Sequence, residues 1–342
     1  MTAYTAVSIT ALPLSLPCCL PKITNAAERM RRRKENNDVR REVNHLSQVC
    51  EVVRAVCTDG ERAGLRTITV SNGVLNVEFL ENRALDISRV FYKGISMGFI
   101  SKNGITARKA EGFHRSFPGG MLYTCGLDAI GAIEGHALHG NLHNIPATVV
   151  SARADERGAT IEGEIRDSAL FGQNLCFTRK IFIPADSGRI EISDVLKNEG
   201  YRDERYCLLY HINSGYPFLC DRTTIGYDEI SIVPRTEWAE TALSEVKKFQ
   251  LPVDNEEERC YFIRLKTPRV KVTNSVLGKS LTIGYSADTL PCLVEWKSGA
   301  SGDYALGIEP CTTFLDKPDF AYRTVKAGES VNFRVVLEFS DT

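Results

Sequence analysis

Short runs of alternating apolar and polar residues recur from about residue 46 to the end of the chain. Residues 67–70 and 74–79 flank the turn Ser71-Asn72-Gly73, and Asn-Gly between two such runs is the strongest short-range signal for a β-hairpin. Gly, Pro, Asp and Asn separate further runs of the same kind, which lie at 159–165, 175–183, 190–196, 206–212, 260–266, 269–273, 281–285, 293–296, 304–308 and 331–339. The pattern predicts many short strands.

These strands predict an all-β fold. No long amphipathic helices alternate with them in the sequence, which argues against a parallel βαβ sheet. The segment 237–258 is the one region whose sequence suggests a helix. Many short strands joined by tight turns are typical of a sandwich or a barrel. Because composition does not shift after residue 46, we predict one large β domain over residues 46–342.

The first 45 residues have a different character. Residues 1–21 carry no charge, and Pro13, Pro17 and Pro21 interrupt their apolar stretch. The stretch has no basic segment in front of it, and it is too short and too broken to span a bilayer. Residues 28–43 carry a run of mixed charges, which is typical of a solvated helix. We therefore predict a disordered or helical leader over 1–45, with a targeting role as the alternative.

Composition indicates which binding partners and which cellular compartment to expect for the protein. The 342 residues include 42 Lys plus Arg and 43 Asp plus Glu, a formal net charge of −1. The chain therefore lacks the basic field that a nucleic-acid-binding protein uses, and we expect neither nucleic acid nor membrane as a partner. Eleven cysteines, an odd number without a C-x-x-C pair, favour reduced thiols in a cytoplasmic protein over a secreted disulfide framework. The sequence does not determine the oligomeric state.

Three histidines, His136, His139 and His143, lie within the segment GHALHGNLH. Their spacing of three and four would place them on one face of a helix, an arrangement that a zinc site can use. Gly135 and Gly140 interrupt such a helix, however. We therefore favour a loop that lines a polar site and expect no metal, and a metal site is the alternative.

One predicted strand carries polar side chains on a single face. With a period of two, His211 and Asn213 share a face with Cys207 and Leu209, while the residues between them point the other way. A polar cleft in which Asn213 contributes to substrate binding is one interpretation. A core histidine that is hydrogen-bonded to a backbone carbonyl fits the spacing equally well.

A second predicted strand ends in a glutamate. Glu309 shares a face with Ala305 and Gly307, whose small side chains leave space above the sheet. Pro310 holds Glu309 in an extended conformation. Burial beside a cleft would raise the pKa of Glu309 toward the range of a general base, and a surface glutamate is the alternative.

Motifs for other chemistries do not occur in the sequence. It has no phosphate loop, no G-x-G-x-x-G after a strand and no G-x-S-x-G elbow, so nucleotide binding and serine hydrolysis have no support. Arg83 and Asp86 lie three residues apart. Such a pair is most often a structural ion pair or a turn cap, and it could also offer hydrogen bonds to sugar hydroxyls.

Several of these segments together resemble the aldose 1-epimerase (galactose mutarotase) superfamily, and most closely its less-characterised aldose-1-epimerase-like branch. The resemblance covers about residues 46–340. Its motifs are NRALDI at 82–87, FPGGMLYTCGLDAIG at 117–131, LHGNLHNIPA at 138–147, YHINSGYP at 210–217, LPCLVEWK at 290–297 and GIEPCT at 307–312.

The resemblance implies a mostly antiparallel β-supersandwich and a reaction that interconverts the anomers of a monosaccharide without a cofactor. In that family a glutamate removes the proton of the anomeric hydroxyl while a histidine protonates the ring oxygen. By resemblance, Glu309 is the base and His211 the acid. His139 is the second histidine of the site, and Arg83 is the arginine that holds the substrate.

Two other functions stay open at this level. A carbohydrate-binding or regulatory protein on the same fold would keep the cleft without turnover, and a metal-dependent enzyme would use the three clustered histidines. If the mutarotase interpretation is right, His211 and Glu309 face each other across one cavity, with His139 and Arg83 on its wall. We expect Trp296 in the core, and a stacking surface for the sugar is the alternative.

Overall fold

The computed structural model describes residues 43–107, 112–316 and 318–342. The chain separates into two compact units, Met1–Asn44 and His45–Thr342. The leader expected over 1–45 lies outside the described residues except for its last three, and the second unit is the one described below.

Four antiparallel sheets build this unit, with strands numbered in chain order. A five-stranded meander consists of β1 (Glu51–Val56), β2 (Arg66–Ser71), β3 (Leu75–Leu80), β4 (Asp86–Tyr92) and β5 (Ile95–Ser96). A two-stranded ribbon pairs β6 (Phe99–Ile100) with β7 (Gly119–Gly120). The other two sheets are larger.

The eight-stranded sheet is made, from edge to edge, of β14 (Thr223–Gly226), β17 (Arg269–Asn274), β18 (Lys279–Tyr285), β22 (Ser330–Asp341), β12 (Arg189–Asn198), β11 (Asn174–Pro184), β10 (Gly158–Ser168) and β9 (Thr148–Asp155). The seven-stranded sheet runs through β15 (Glu229–Pro234), β16 (Arg259–Leu265), β19 (Cys292–Ser298), β20 (Ala305–Cys311), β13 (Glu204–Ser214) and β21 (Arg323–Val325), and β8 (Leu122–Leu127) also pairs with β13. The expected all-β, mostly antiparallel fold is confirmed.

The Asn-Gly turn forms the predicted hairpin between β2 and β3. Gly73 adopts a φ of +80°, which costs a glycine little. The Asn72 side-chain oxygen accepts the N–H groups of Val74 and Leu75 at 3.1 and 2.7 Å. The turn is therefore built from local chemistry that the sequence displays.

The helix suggested over 237–258 is much shorter in the structure. It is a single turn, α2 (Glu237–Glu240), followed by a 3-10 turn at Leu243–Glu245. Thr236 caps its first turn by accepting the N–H of Ala239. The one other α-helix among the described residues, α1, is a single turn at Phe113–Ser116. Within the described residues no helix is long and apolar enough to cross a membrane.

The seven-stranded sheet has apolar residues on both faces. Leu208, Tyr210 and Ile212 of β13 belong to the main core, together with residues of the five- and eight-stranded sheets. Cys207 and Leu209 of the same strand belong to a second apolar cluster on the opposite face. The alternation predicted for β13 is confirmed, and the second face is where the site described below lies.

A fully buried ionic network contacts β13 on its main-core face, through Tyr210. Arg179 donates to Asp194 Oδ2 at 2.8 Å and to Asp86 Oδ1 at 2.8 Å, and the Tyr210 hydroxyl donates to Asp194 at 2.7 Å. Of the alternatives that the sequence left open for Arg83 and Asp86, the ion pair between them does not form, because Asp86 pairs with Arg179. Two buried carboxylates share one guanidinium, so full ionisation of both would leave one negative charge uncompensated, and burial accordingly raises the pKa of Asp86.

Candidate active site

The pairing of β13 with β20 brings His211 and Glu309 together. The antiparallel register matches Leu209 with Cys311 and Ile212 with Ile308, which places His211 opposite Glu309 on the same face of the sheet. His211 Nε2 lies 3.1 Å from Glu309 Oε1. Both side chains are almost completely buried, with 4% and 1% of their residue surface exposed.

Gly307 provides the space for this pair. A Cβ atom at this position would lie 2.5 Å from Glu309 Oε1, 3.0 Å from His211 Cε1 and 3.2 Å from Trp296 Cε3. These distances are shorter than ordinary van der Waals contacts. The small residue on the face of Glu309 therefore leaves room for the side chains of the site, while the predicted room for a ligand above Ala305 and Gly307 stays a prediction.

The pair lies at the base of a cavity of about 520 Å³. A volume of this size is within the range of small-molecule sites. Its wall combines aromatic side chains with polar and charged ones, among them Phe99, Phe113, Phe117, Trp296, His139, Lys102, Asn103, His114, Arg235, Glu256, Glu258 and Asp303.

His139 reaches the cavity from the glycine-rich histidine segment. Its backbone is left-handed, with a φ of 64°, and its Nδ1 accepts the N–H of Gly131 at 3.2 Å. The neutral ring therefore carries its proton on Nε2. The centres of the His139 and His211 rings are 5.9 Å apart, so the loop interpretation of this segment agrees with the structure.

The other two histidines of this segment do not line the cavity. His136 lies 3.3 Å from Asp128 near the surface, and His143 is buried with its ring stacked on Tyr123, centre to centre 4.2 Å. Across the described residues no group of three or more His, Cys, Asp or Glu side chains has the geometry to hold a metal ion. The metal alternative therefore has no structural support.

Burial controls the charge state of the site. Desolvation, reinforced by the neighbouring His139, lowers the pKa of His211 to about 3. Desolvation, together with Arg235 and His114, lowers that of His139 to about 4. Desolvation raises the pKa of Glu309 well above 4.5, and the charge of Glu258 raises it further. At neutral pH both histidines are therefore uncharged, and burial favours the protonated form of Glu309.

Two buried atoms of the pair leave their hydrogen-bonding capacity unused. Within the described part of the chain, His211 Nδ1 and Glu309 Oε1 have no hydrogen-bond partner, since the 3.1 Å approach of the two side chains lacks hydrogen-bond alignment. Unsatisfied polar atoms are rare in protein interiors and costly to bury. Their presence at the base of a cavity marks this place as a candidate site of proton transfer.

Arg83 and Asn213 are not on the wall of this cavity. Arg83 is buried, with its guanidinium 3.4 Å from Asn144 Oδ1. The Asn213 amide donates to the backbone oxygens of Gly120 and His211 at 3.0 and 3.1 Å. The expectation that Arg83 lies on the wall is wrong, whereas a contact between Asn213 and substrate stays a prediction. The Asn213 Oδ1 atom is buried without a hydrogen-bond partner among the described residues.

Three residues of the site were missed or misassigned from sequence. Trp296 lines the cavity, so its expected place in the core is wrong. The period-two alternation of β19 with Val294 could have found it, because the two residues share a face. Arg235 and Glu258 also line the cavity, but they lie at the ends of β15 and β16, where no periodic pattern points to them.

The comparisons with solved structures agree with this fold. A candidate aldose 1-epimerase from Klebsiella pneumoniae subsp. pneumoniae MGH 78578 is 22% identical, with a TM-score of 0.76 over 85% of this chain and 83% of that chain. A galactose mutarotase-like protein from Clostridium acetobutylicum is 13% identical, with a TM-score of 0.65 over 86% and 100%. A candidate aldose 1-epimerase from Escherichia coli K12 is also 13% identical, with a TM-score of 0.59 over 82% and 100%. The expected galactose mutarotase-like β-sandwich is thereby confirmed.

Comparison by sequence adds the family. No functionally curated protein matches the chain. A family model described as a domain of unknown function, DUF4432, matches residues 62–338. This span includes His139, His211 and Glu309 and covers most of the described β unit. The chain therefore belongs to the DUF4432 family, a family of unknown function whose member here has the fold of the galactose mutarotases.

Proposed function

We propose that the protein is a cofactor-independent sugar mutarotase or epimerase, an isomerase that interconverts the anomers of a monosaccharide by general acid–base catalysis. The observation that carries the proposal is the His211–Glu309 pair, 3.1 Å apart at the base of a cavity. The two oxygens between which a proton must pass, the anomeric hydroxyl and the ring oxygen, are bonded to the same carbon. An acid and a base for this reaction must therefore be close neighbours.

The proton count of the buried pair suits this reaction. A neutral imidazole with a protonated carboxyl holds as many protons as an imidazolium with a carboxylate, and one transfer from Glu309 to His211 converts the first form into the second. Glu309 then takes the proton of the anomeric hydroxyl while His211 gives its proton to the ring oxygen. The bond between C1 and the ring oxygen breaks as the C1 carbonyl forms, and closure after rotation gives the other anomer.

The surroundings of the pair support a sugar as substrate. The cavity has room for a monosaccharide, and its mixture of aromatic and polar side chains is typical of sites that bind polar small molecules. His139 presents its Nε2 proton as a donor for a ring oxygen or a hydroxyl. No step of this chemistry requires a cofactor, so the proposal includes none.

We also propose the cytoplasm as its location. The nine described cysteines are all free thiols, and seven of them are buried. Free thiols of this kind persist in a reducing compartment.

The test is exchange NMR on a panel of free aldoses and ketoses, which measures the rate of anomer interconversion directly. We expect faster exchange with the wild-type protein and a loss of about 10²–10⁴-fold in E309Q and H211A. H136A is the matched control, because His136 is a histidine of the same segment that lies outside the cavity, and it should keep wild-type exchange. Saturable line broadening without exchange would instead identify a carbohydrate-binding protein, and full activity of E309Q would remove Glu309 as the base.

A further inference from the structure

Trp296 stands beside the catalytic pair with its orientation fixed. It lies on β19 directly opposite Gly307 of β20, and its ring centre is 5.4 Å from that of His211 at an interplanar angle of 73°. The indole N–H donates to Glu258 Oε2 at 2.7 Å. Because the ring lines the cavity and is anchored at its polar end, it loses little further freedom when a ligand binds.

Glu258 connects this tryptophan to the charge of the site. It precedes β16 and lines the same cavity as Trp296 and Glu309. Its negative charge raises the pKa of Glu309, whereas Arg235 lowers it. Arg235 is itself held by Asp316, at 2.6 and 2.9 Å. One carboxylate therefore both anchors the indole and influences where the proton of the pair resides.

We propose that Trp296 is the platform on which the apolar face of the sugar ring lies, and that Glu258 is the positioning residue that orients this platform. The inference rests on the proposed function and deepens it. A pyranose has C–H groups on its faces and hydroxyls at its rim, so an indole face is a suitable partner for it. The ligand class is therefore a pyranose with an uninterrupted C–H face, and an epimer with an axial hydroxyl on that face binds less tightly.

The reaction itself gives the platform a distinct kinetic signature. When the ring opens, C1 rotates, but the C–H groups from C3 to C5 stay in place against the indole. The platform therefore stabilises ground state and transition state equally. Loss of such an interaction raises KM and leaves kcat unchanged.

The first experiment measures anomer exchange in Trp296 and Glu258 variants. We expect W296L to raise KM about tenfold at unchanged kcat, and W296F to raise it less because an aromatic face remains. E258Q keeps an oxygen that accepts the indole N–H, so its KM should stay near that of the wild type, while the alkaline limb of kcat/KM moves to lower pH. E258A should show both the raised KM and the moved limb. An unchanged KM in W296L for every sugar that is turned over would overturn the platform.

The second experiment observes Trp296 without altering it. The chain has two tryptophans, and Trp238 lies outside the cavity, so W238F leaves Trp296 as the sole tryptophan emitter. A sugar substrate should change its emission saturably, with a midpoint near KM. Catalysis without any emission change at saturation contradicts the platform and leaves the proposed function intact. A saturable change without catalysis on any sugar supports the platform and contradicts the proposed function.

Discussion

Replacing Gly307 by alanine should disable the His211–Glu309 pair without unfolding the sheet. The backbone at Gly307 is outside the left-handed region, so alanine can adopt it without strain. The added Cβ, however, would lie 2.5 Å from Glu309 Oε1 and 3.0 Å from His211 Cε1. The substitution therefore acts on the positions of the two reacting groups and leaves their chemistry unchanged.

The size of the effect follows from these contacts. Ordinary contact begins at 3.4 Å, so Glu309 Oε1 would have to retreat by about 0.9 Å. A misplacement of about 1 Å costs on the order of 100-fold in rate, or about 2.7 kcal/mol of transition-state free energy. The free energy of unfolding should change less, because crowding costs about 1–3 kcal/mol and the replacement of a strand glycine returns about 0.5–1 kcal/mol.

The assay is anomer exchange measured by NMR, with urea denaturation to measure stability on the same samples. Gly284→Ala is the matched control: it is a glycine of β18 whose added Cβ would have no atom within 4 Å, so it should keep the activity of the wild type and gain about 0.5–1 kcal/mol in stability. If Gly307→Ala folds and its kcat/KM stays within threefold of the wild type, the close packing around the pair is not what positions it, and the reasoning fails.

Three further predictions concern charge. The pKa of Glu309 in the folded protein is raised above its unfolded value of 4.5, so the native state keeps a proton that the unfolded chain releases. The wild type should therefore lose stability relative to E309Q as pH rises above 4.5. Urea titrations of both proteins at about pH 4 and 8 measure this difference. R179M should lower the free energy of unfolding by about 3–5 kcal/mol, because it leaves two buried carboxylates uncompensated. The control R157M breaks an exposed ion pair and should lower the free energy of unfolding by less than about 1 kcal/mol. Equal losses in the two variants would contradict the buried network. Since burial lowers the pKa of His211 to about 3, kcat/KM should stay flat from about pH 7 to 5, and a decline centred near 6.5 would show that the histidine titrates normally.

Local chemistry alone determined much of the fold. The Asn72-Gly73 turn and the alternation of β13 appear in the structure as predicted, because turn conformation and side-chain direction depend on neighbouring residues in the chain. The same period of two placed His211 and Glu309 on faces with small or apolar neighbours. The resemblance to the mutarotases joined these two residues into the pair that the structure brings together, although their catalytic roles stay predictions.

Other features depended on contacts between distant segments. Asp86 has a nearby arginine in sequence at Arg83, yet its partner is Arg179 of β11, because the packing of β4 and β8 against the eight-stranded sheet decides which charges meet. We expected Trp296 in the core, but the pairing of β19 with β20 places it opposite Gly307, where it lines the cavity. The lowered pKa of His211 and the raised pKa of Glu309 likewise follow from burial, which no single strand specifies. The sequence by itself determined which face of each strand a residue occupies. Only the tertiary structure decided which faces meet and how far water is excluded between them, because strand register and burial are set by packing between segments far apart in the chain.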